Sequence, residues 1–289
     1  MIIQTLIGVL LTLLATTLFN IAPILQKSAV DKMEEIGKDN FFKSIIAMLK
    51  NGKWMLGAIF GVLGGVPYFF ALQISGITIV QPILNFGFII MVYFARKWFN
   101  EKLDAFGKIG ITLLIIMPVF ITLGGVSEPN KDFNNLVLIV FTTIITIISL
   151  IFFGGAKKIN IFWAPACGLC FSIGALYMQA FTLMIDFNHL ELLFDMILSA
   201  AWIIIISIIF NALATFLGQI GLQKNPASKY NPINQTINNI ASFIGGIIIF
   251  SQVVSNPIVY SIGFLFGILG VFLLGKYDIK QLEQKSKTS

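Results

Sequence analysis

The sequence predicts an all-α, polytopic membrane protein of nine transmembrane helices, and three observations predict it. The chain is too apolar for water: its mean hydropathy is +0.91, and 57% of its 289 residues are hydrophobic against 11% charged, so no polar skin can cover an apolar interior. Its apolar residues also fall in runs of roughly 17 to 25, the length a helix needs to cross about 30 Å of hydrocarbon. Finally, if every run is a crossing, 18 of the 19 Lys and Arg share one face and only Lys131 lies on the other. A missed or invented crossing would scatter these charges over both faces. Barrel strands would be about half as long and would alternate in polarity.

The spans follow in order. Span 1, Ile2 to Leu25, is preceded by no basic segment and outlasts the apolar stretch of a signal peptide, so it reads as a retained first helix. A mixed-charge linker follows, in which Phe41 to Leu49 reads as an interfacial helix. Span 2 covers Trp54 to Ile74, span 3 Ile79 to Trp98, span 4 Phe106 to Leu123 and span 5 Leu136 to Phe153. Span 6, Ile161 to Ile185, contains Cys167 and Cys170; with no partner ligands and no thioredoxin-like pattern around them, helix packing is the reading. Span 7 covers Ile197 to Leu222, span 8 Ile233 to Phe250 and span 9 Ile258 to Leu274, after which the polar tail from Lys276 is expected to be loosely ordered. Trp54, Trp98, Trp163, Tyr230, Tyr260 and Tyr277 stand near run ends as interface anchors, and Lys27 and Arg96 are placed to snorkel.

The lysine asymmetry puts the N-terminus outside and the C-terminus in the cytoplasm of a multi-pass cell-membrane protein. The pI of 9.3 therefore reports topology and the attraction of basic loops to anionic lipid; nucleic acid is excluded as a partner.

The chain also repeats. At an offset of 150 residues, Leu72-Gln73 falls on Leu222-Gln223 and Pro82-Ile83 on Pro232-Ile233, with Thr78 on Ser228, Gln81 on Asn231 and Asn85 on Gln235 between and beside them. Five crossings separate the equivalent helices, an odd number, so the second unit enters from the opposite face. The expected organisation is a first four-helix repeat in residues 1–125, a connecting helix in 126–160, an inverted second repeat in 161–275 and a cytoplasmic tail in 276–289. Inverted repeats are the architecture of many secondary transporters, in which one half rocks against the other around a midplane site.

Particular residues then carry a resemblance: Lys53-Trp54 through Ala71-Leu72-Gln73, Ile79-Val80-Gln81-Pro82-Ile83-Leu84, Asn100-Glu101-Lys102-Leu103, and the glycine-led helix with Gly107 and Gly110. This pattern resembles the drug/metabolite transporter (EamA-like) superfamily, nearest its nine-helix, NIPA-like magnesium-transporter branch. The resemblance implies alternating-access transport. One departure is visible: where NIPA-type proteins carry an acidic and an amide residue in the second helix, this chain has Gly65-Val66-Pro67.

No ionisable residue lies at the centre of any span, although a charge there would be the strongest pointer to function. What the spans offer is amides. Gln81 and Asn85 share one face of span 3, and Asn231, Gln235 and Asn239 one face of span 8, so two polar stripes enter from opposite sides. Gln81, Asn85, Asn231 and Gln235 are the first candidates to line a substrate path, followed by Asn20 and Gln73; the competing reading is interhelical hydrogen bonding. Pro23, Pro67, Pro118 and Pro165 allow kinks within spans. The loops on the lysine-poor side hold Glu128, Asp132, Asp186, Glu191 and Asp195 with Lys131 and His189; a negative mouth would concentrate cations, but solvated loops that merely lack lysine explain the same counts and are the favoured reading.

The expected function is secondary transport of a small polar metabolite or organic cation; the alternative is magnesium or another divalent cation. An intramembrane enzyme would need buried nucleophiles, carboxylate pairs or metal ligands, and the sequence offers no catalytic or metal-ligating set and implies no cofactor. A scaffold would have no use for the duplication. The partners expected are the transported solute and membrane lipid, with homodimerisation left open.

Overall fold

The computed structural model describes the backbone of residues 2–36, 41–100, 104–127, 129–185 and 189–288, and their side chains except 2–5, 41, 82, 190, 193 and 275–288. Glu101, Lys102, Leu103, Glu128 and Asp186, and the side chain of Tyr277, lie outside the described residues. Within them the chain is helical, and its one β feature is an isolated antiparallel bridge between Val126 and Val254.

Nine helices among the described residues are long and apolar enough to cross a bilayer. Span 1 is α1 (Ile2–Val30), and α2 (Phe41–Lys50) forms where the linker's apolar segment predicts a short helix. Span 2 is α3 (Gly52–Ser75), started by Asn51, whose side chain accepts from the amides of Lys53 and Trp54 at 3.1 and 3.2 Å. Gly76, at a φ of 72° that favours glycine, ends it and turns the chain straight into span 3. Span 3 is broken: α4 (Ile77–Ile83) gives way to a 3-10 turn at Leu84–Gly87 and then α5 (Phe88–Phe99). Span 4 is α6 (Ala105–Gly124), capped by Asp104, and span 5 is α7 (Asn135–Ala156), capped by Asn134. Span 6 combines a 3-10 turn at Asn160–Phe162 with α8 (Trp163–Met184).

Span 7 departs from its apolar run: α9 (Leu193–Ser199) is separate, and the crossing helix is α10 (Ala201–Lys224). Span 8, α11 (Ala227–Phe250), starts six residues before its apolar run does. Ser228, Lys229, Tyr230 and Asn231 form its first turns and are buried against protein, so their polarity hid a helix that never meets lipid there. Span 9 is α12 (Pro257–Thr288), which runs on as helix through the segment expected to be loose.

Side-chain size orders the bundle. Span 6 is rich in small residues, among them Ala164, Ala166, Cys167, Gly168, Gly174 and Ala175, and small residues let backbones approach. It is 78% buried and lies between spans 5, 7 and 8, whereas span 5, apolar all round, is 22% buried at the periphery. Both cysteines join this core as free thiols: Cys167 donates to the Ala214 carbonyl at 3.1 Å and Cys170 lies 3.4 Å from Ser149 Oγ. Span 1 packs on span 2 and span 4 on span 9, the latter where Gly110 and Gly270 cross so closely that a Cβ on either would come within 2.9 Å of the other's carbonyl oxygen. Gly61 and Gly65, by contrast, face open space.

The residues expected as interface anchors divide. Trp98 is exposed, but Trp54, Trp163, Tyr230 and Tyr260 are buried within the protein, because their rings fill gaps between helix ends. Lys27 does not snorkel. It is buried, and its ammonium donates to the carbonyls of Leu222 (2.9 Å) and Asn225 (3.3 Å) at the end of span 7 and to Asp31 (3.0 Å), where the negative end of the helix dipole favours a cation.

Candidate functional site

The two polar stripes meet. Spans 3 and 8 pack against each other, and Asn85 and Asn239 are both fully buried there, the Asn239 amide donating to Asn85 Oδ1. Close by, Asn238 donates to Gln81 Oε1 at 3.5 Å, and Gln81 donates to the Tyr68 hydroxyl of span 2 at 2.6 Å. Ser242 donates to Asn238 Oδ1 at 3.2 Å, and Asn85 donates to Met117 Sδ of span 4 at 3.3 Å. Spans 2, 3, 4 and 8 thus share one buried polar seam.

The seam sits where span 3 is irregular. Pro82 contributes no N–H to the helix, and the tighter turn at Leu84–Gly87 carries Asn85 within it. Such irregular backbone at membrane depth persists only where it is buried in protein or borders a cavity. Span 1 closes on the same turn: a Cβ on Gly87 would lie 1.8 Å from Asn20 Nδ2, so only glycine leaves room for that side chain.

Each predicted residue can now be placed. Gln81 and Asn85 are in the seam. Asn20 lies against its broken turn and donates to the Thr16 carbonyl of its own helix at 2.9 Å. Asn231 is buried farther along span 8, donating to Met91 Sδ at 3.4 Å, and Gln235 is half-buried and joins none of the seam's hydrogen bonds. Gln73 is remote from it, its amide donating to the Ile185 carbonyl at 3.1 Å just past span 6. Of the predicted stripe, Asn239 is thus the member that turns toward span 3, joined by Asn238 beside it, while Asn231 and Gln235 stay outside the seam's hydrogen bonds. Tyr68 and Met117 were not singled out in the sequence, because a tyrosine or methionine within an apolar run reads as packing.

Asn239 Oδ1 is the informative atom. It is one of ten buried side-chain atoms with no hydrogen-bond partner among the described residues, and the one that belongs to the Asn85–Asn239 pair. An acceptor oxygen left in that condition, on the side chain that bonds Asn85, is suited to a cation or a donor group. Among the described residues no three of His, Cys, Asp and Glu come together as a metal cluster, and the side chains that hydrogen-bond along the seam are neutral.

Nine helices among the described residues, each long and apolar enough to cross a bilayer, make this a polytopic membrane protein, and its family makes it a transporter. It belongs to the family described as magnesium transporter NIPA, whose sequence profile matches residues 3–279. Over 118 residues it is 29% identical to "Probable magnesium transporter NIPA9" of Arabidopsis thaliana, a stretch that is 41% of this chain and 34% of that relative, so the match spans about a third of the relative's length. No solved structure matches.

Proposed function

We propose that this protein carries a divalent cation, magnesium first among them, across the membrane by alternating access through the seam between spans 3 and 8. The family membership favours this over the polar metabolite or organic cation that the sequence alone put first. The observation that carries it is the Asn85–Asn239 pair: two fully buried amides from the two halves of the chain, at a broken helix, with one oxygen unpartnered. Magnesium sheds water reluctantly and prefers oxygen ligands. Neutral amide oxygens hold such an ion without stripping it, weakly enough for release.

The halves act as inverted copies in this reading, with span 5 as the connector. Packing supports it. Span 1 packs on span 2 as span 6 does on span 7, and spans 3 and 8, like spans 4 and 9, pair with their own equivalents. The lysine-rich ends are assigned to the cytoplasm, with the N-terminus outside.

Purified protein in liposomes enclosing a magnesium-sensitive dye tests the proposal. Wild type is expected to admit magnesium, and Asn85→Leu or Asn239→Leu at equal incorporation to lose about tenfold or more, the effect of roughly 1.4 kcal/mol at the site. Uptake of organic cations in place of magnesium, or full magnesium uptake by both variants, would reject it.

A further inference from the structure

Gln73 and Gln223, which coincide when the sequence is laid on itself, make the same contact at opposite ends of the bundle. Each stands in the last turn of its helix and donates its amide to the carbonyls just past the helix that opens the other half. Gln73 of span 2 reaches Ile185 beyond span 6 at 3.1 Å. Gln223 of span 7 reaches Val30, Met33 and Glu34 at the end of span 1 at 2.9, 3.2 and 3.1 Å, while its Oε1 accepts from the Ile36 amide at 2.8 Å.

The two ends belong to opposite faces. Around Gln223 lie Lys27, bonded to the Leu222 and Asn225 carbonyls, and the Gln219–Gln26 hydrogen bond at 2.9 Å one turn deeper. On the lysine-poor face, Thr78 donates to Gln252, Gln252 donates to the Ser127 carbonyl at 3.0 Å, and the loops before spans 5 and 9 bridge at Val126 and Val254. With both ends tied, the Asn85–Asn239 pair between them is sealed from water.

We propose that Gln73 and Gln223 are matched latches, one for the gate on each face, and that transport releases them in turn. The proposal rests on the inverted-repeat reading above. A helix end presents carbonyls with no partner in the helix and with partial negative charge, so an amide donor holds there. Both glutamines are half-buried and within reach of water. A neutral hydrogen bond there exchanges readily for one to water, as a gate requires.

The test uses the full chain with Cys167→Ala, Cys170→Ala and a reporter, Ser242→Cys, at a fully buried position bonded to Asn238. A membrane-impermeant maleimide is applied to vesicles of each orientation. Gln73→Leu is expected to raise the labelling rate severalfold from the lysine-poor side alone, and Gln223→Leu from the lysine-rich side alone. Enhancement from the reverse sides, from the same side in both variants, or in neither would overturn the proposal. Should a leucine variant fail to reach the membrane, Gln73→Met and Gln223→Met, which keep the volume and remove the donor, carry the same expectations. Labelling needs no magnesium. Magnesium uptake is measured in parallel in latch variants that keep Ser242: unchanged labelling with normal uptake removes the latches and leaves the cation reading standing, and shifted labelling without uptake does the reverse.

Discussion

Tyr68 holds Gln81 in place, and its phenol is the kind of group that apolar-run counting overlooks. Tyr68→Phe removes the acceptor for the Gln81 amide and is expected to lower stability by about 0.6 to 2 kcal/mol, read as a fall in melting temperature in detergent. Lys27 should matter more. Lys27→Met strands the buried Leu222 and Asn225 carbonyls, and each buried acceptor left unpaired costs roughly 1 to 3 kcal/mol; a melting temperature equal to wild type would contradict this role. At this scale the sequence was legible where a polar atom interrupts an apolar run, as at Gln81 and Asn85. Gln73 is just as polar, yet its position at a helix end gave it carbonyls to bind and took it out of the seam.

Helices were legible as lengths of apolar sequence, but their irregularities were not. The turn at Leu84–Gly87 lies inside the single run from Ile79 to Trp98, with Pro82 as its forewarning. The true start of span 8 was hidden for the converse reason, since Ser228 to Asn231 are polar yet covered by neighbouring helices. Gly87 ties the break to span 1. Gly87→Ala sets a methyl on the Asn20 amide, and overpacking of this kind costs about 1 to 3 kcal/mol; magnesium uptake is expected to fall with melting temperature, and an Asn20→Ala partner substitution is expected to restore the stability by making room. Gly61→Ala, which faces open space, serves as the silent control.

For the molecule as a whole, the lengths of the apolar runs were the legible signal of the nine candidate spans found among the described residues, because span length follows from bilayer thickness rather than from any one contact. The offset of 150 residues puts Gln73 and Gln223 in register in the sequence, and both bond to backbone carbonyls at helix ends. What the sequence could not show was which rows of the two stripes would face each other. That depends on the rotation of span 8, set by the close crossing of Gly168 with Asn234, where a Cβ would come within 2.4 Å of the Asn234 carbonyl. A fluorescent-protein fusion at the C-terminus is expected to report a cytoplasmic location. The most direct measurement is thermal unfolding of the purified protein titrated with magnesium chloride at constant ionic strength. A ligand held by the folded state at a hundredfold excess over its dissociation constant adds about 2.7 kcal/mol. Wild type should therefore melt progressively higher, and Asn85→Leu and Asn239→Leu should not respond. An equal rise in those variants, or none in any of the three, would contradict a cation site between the halves.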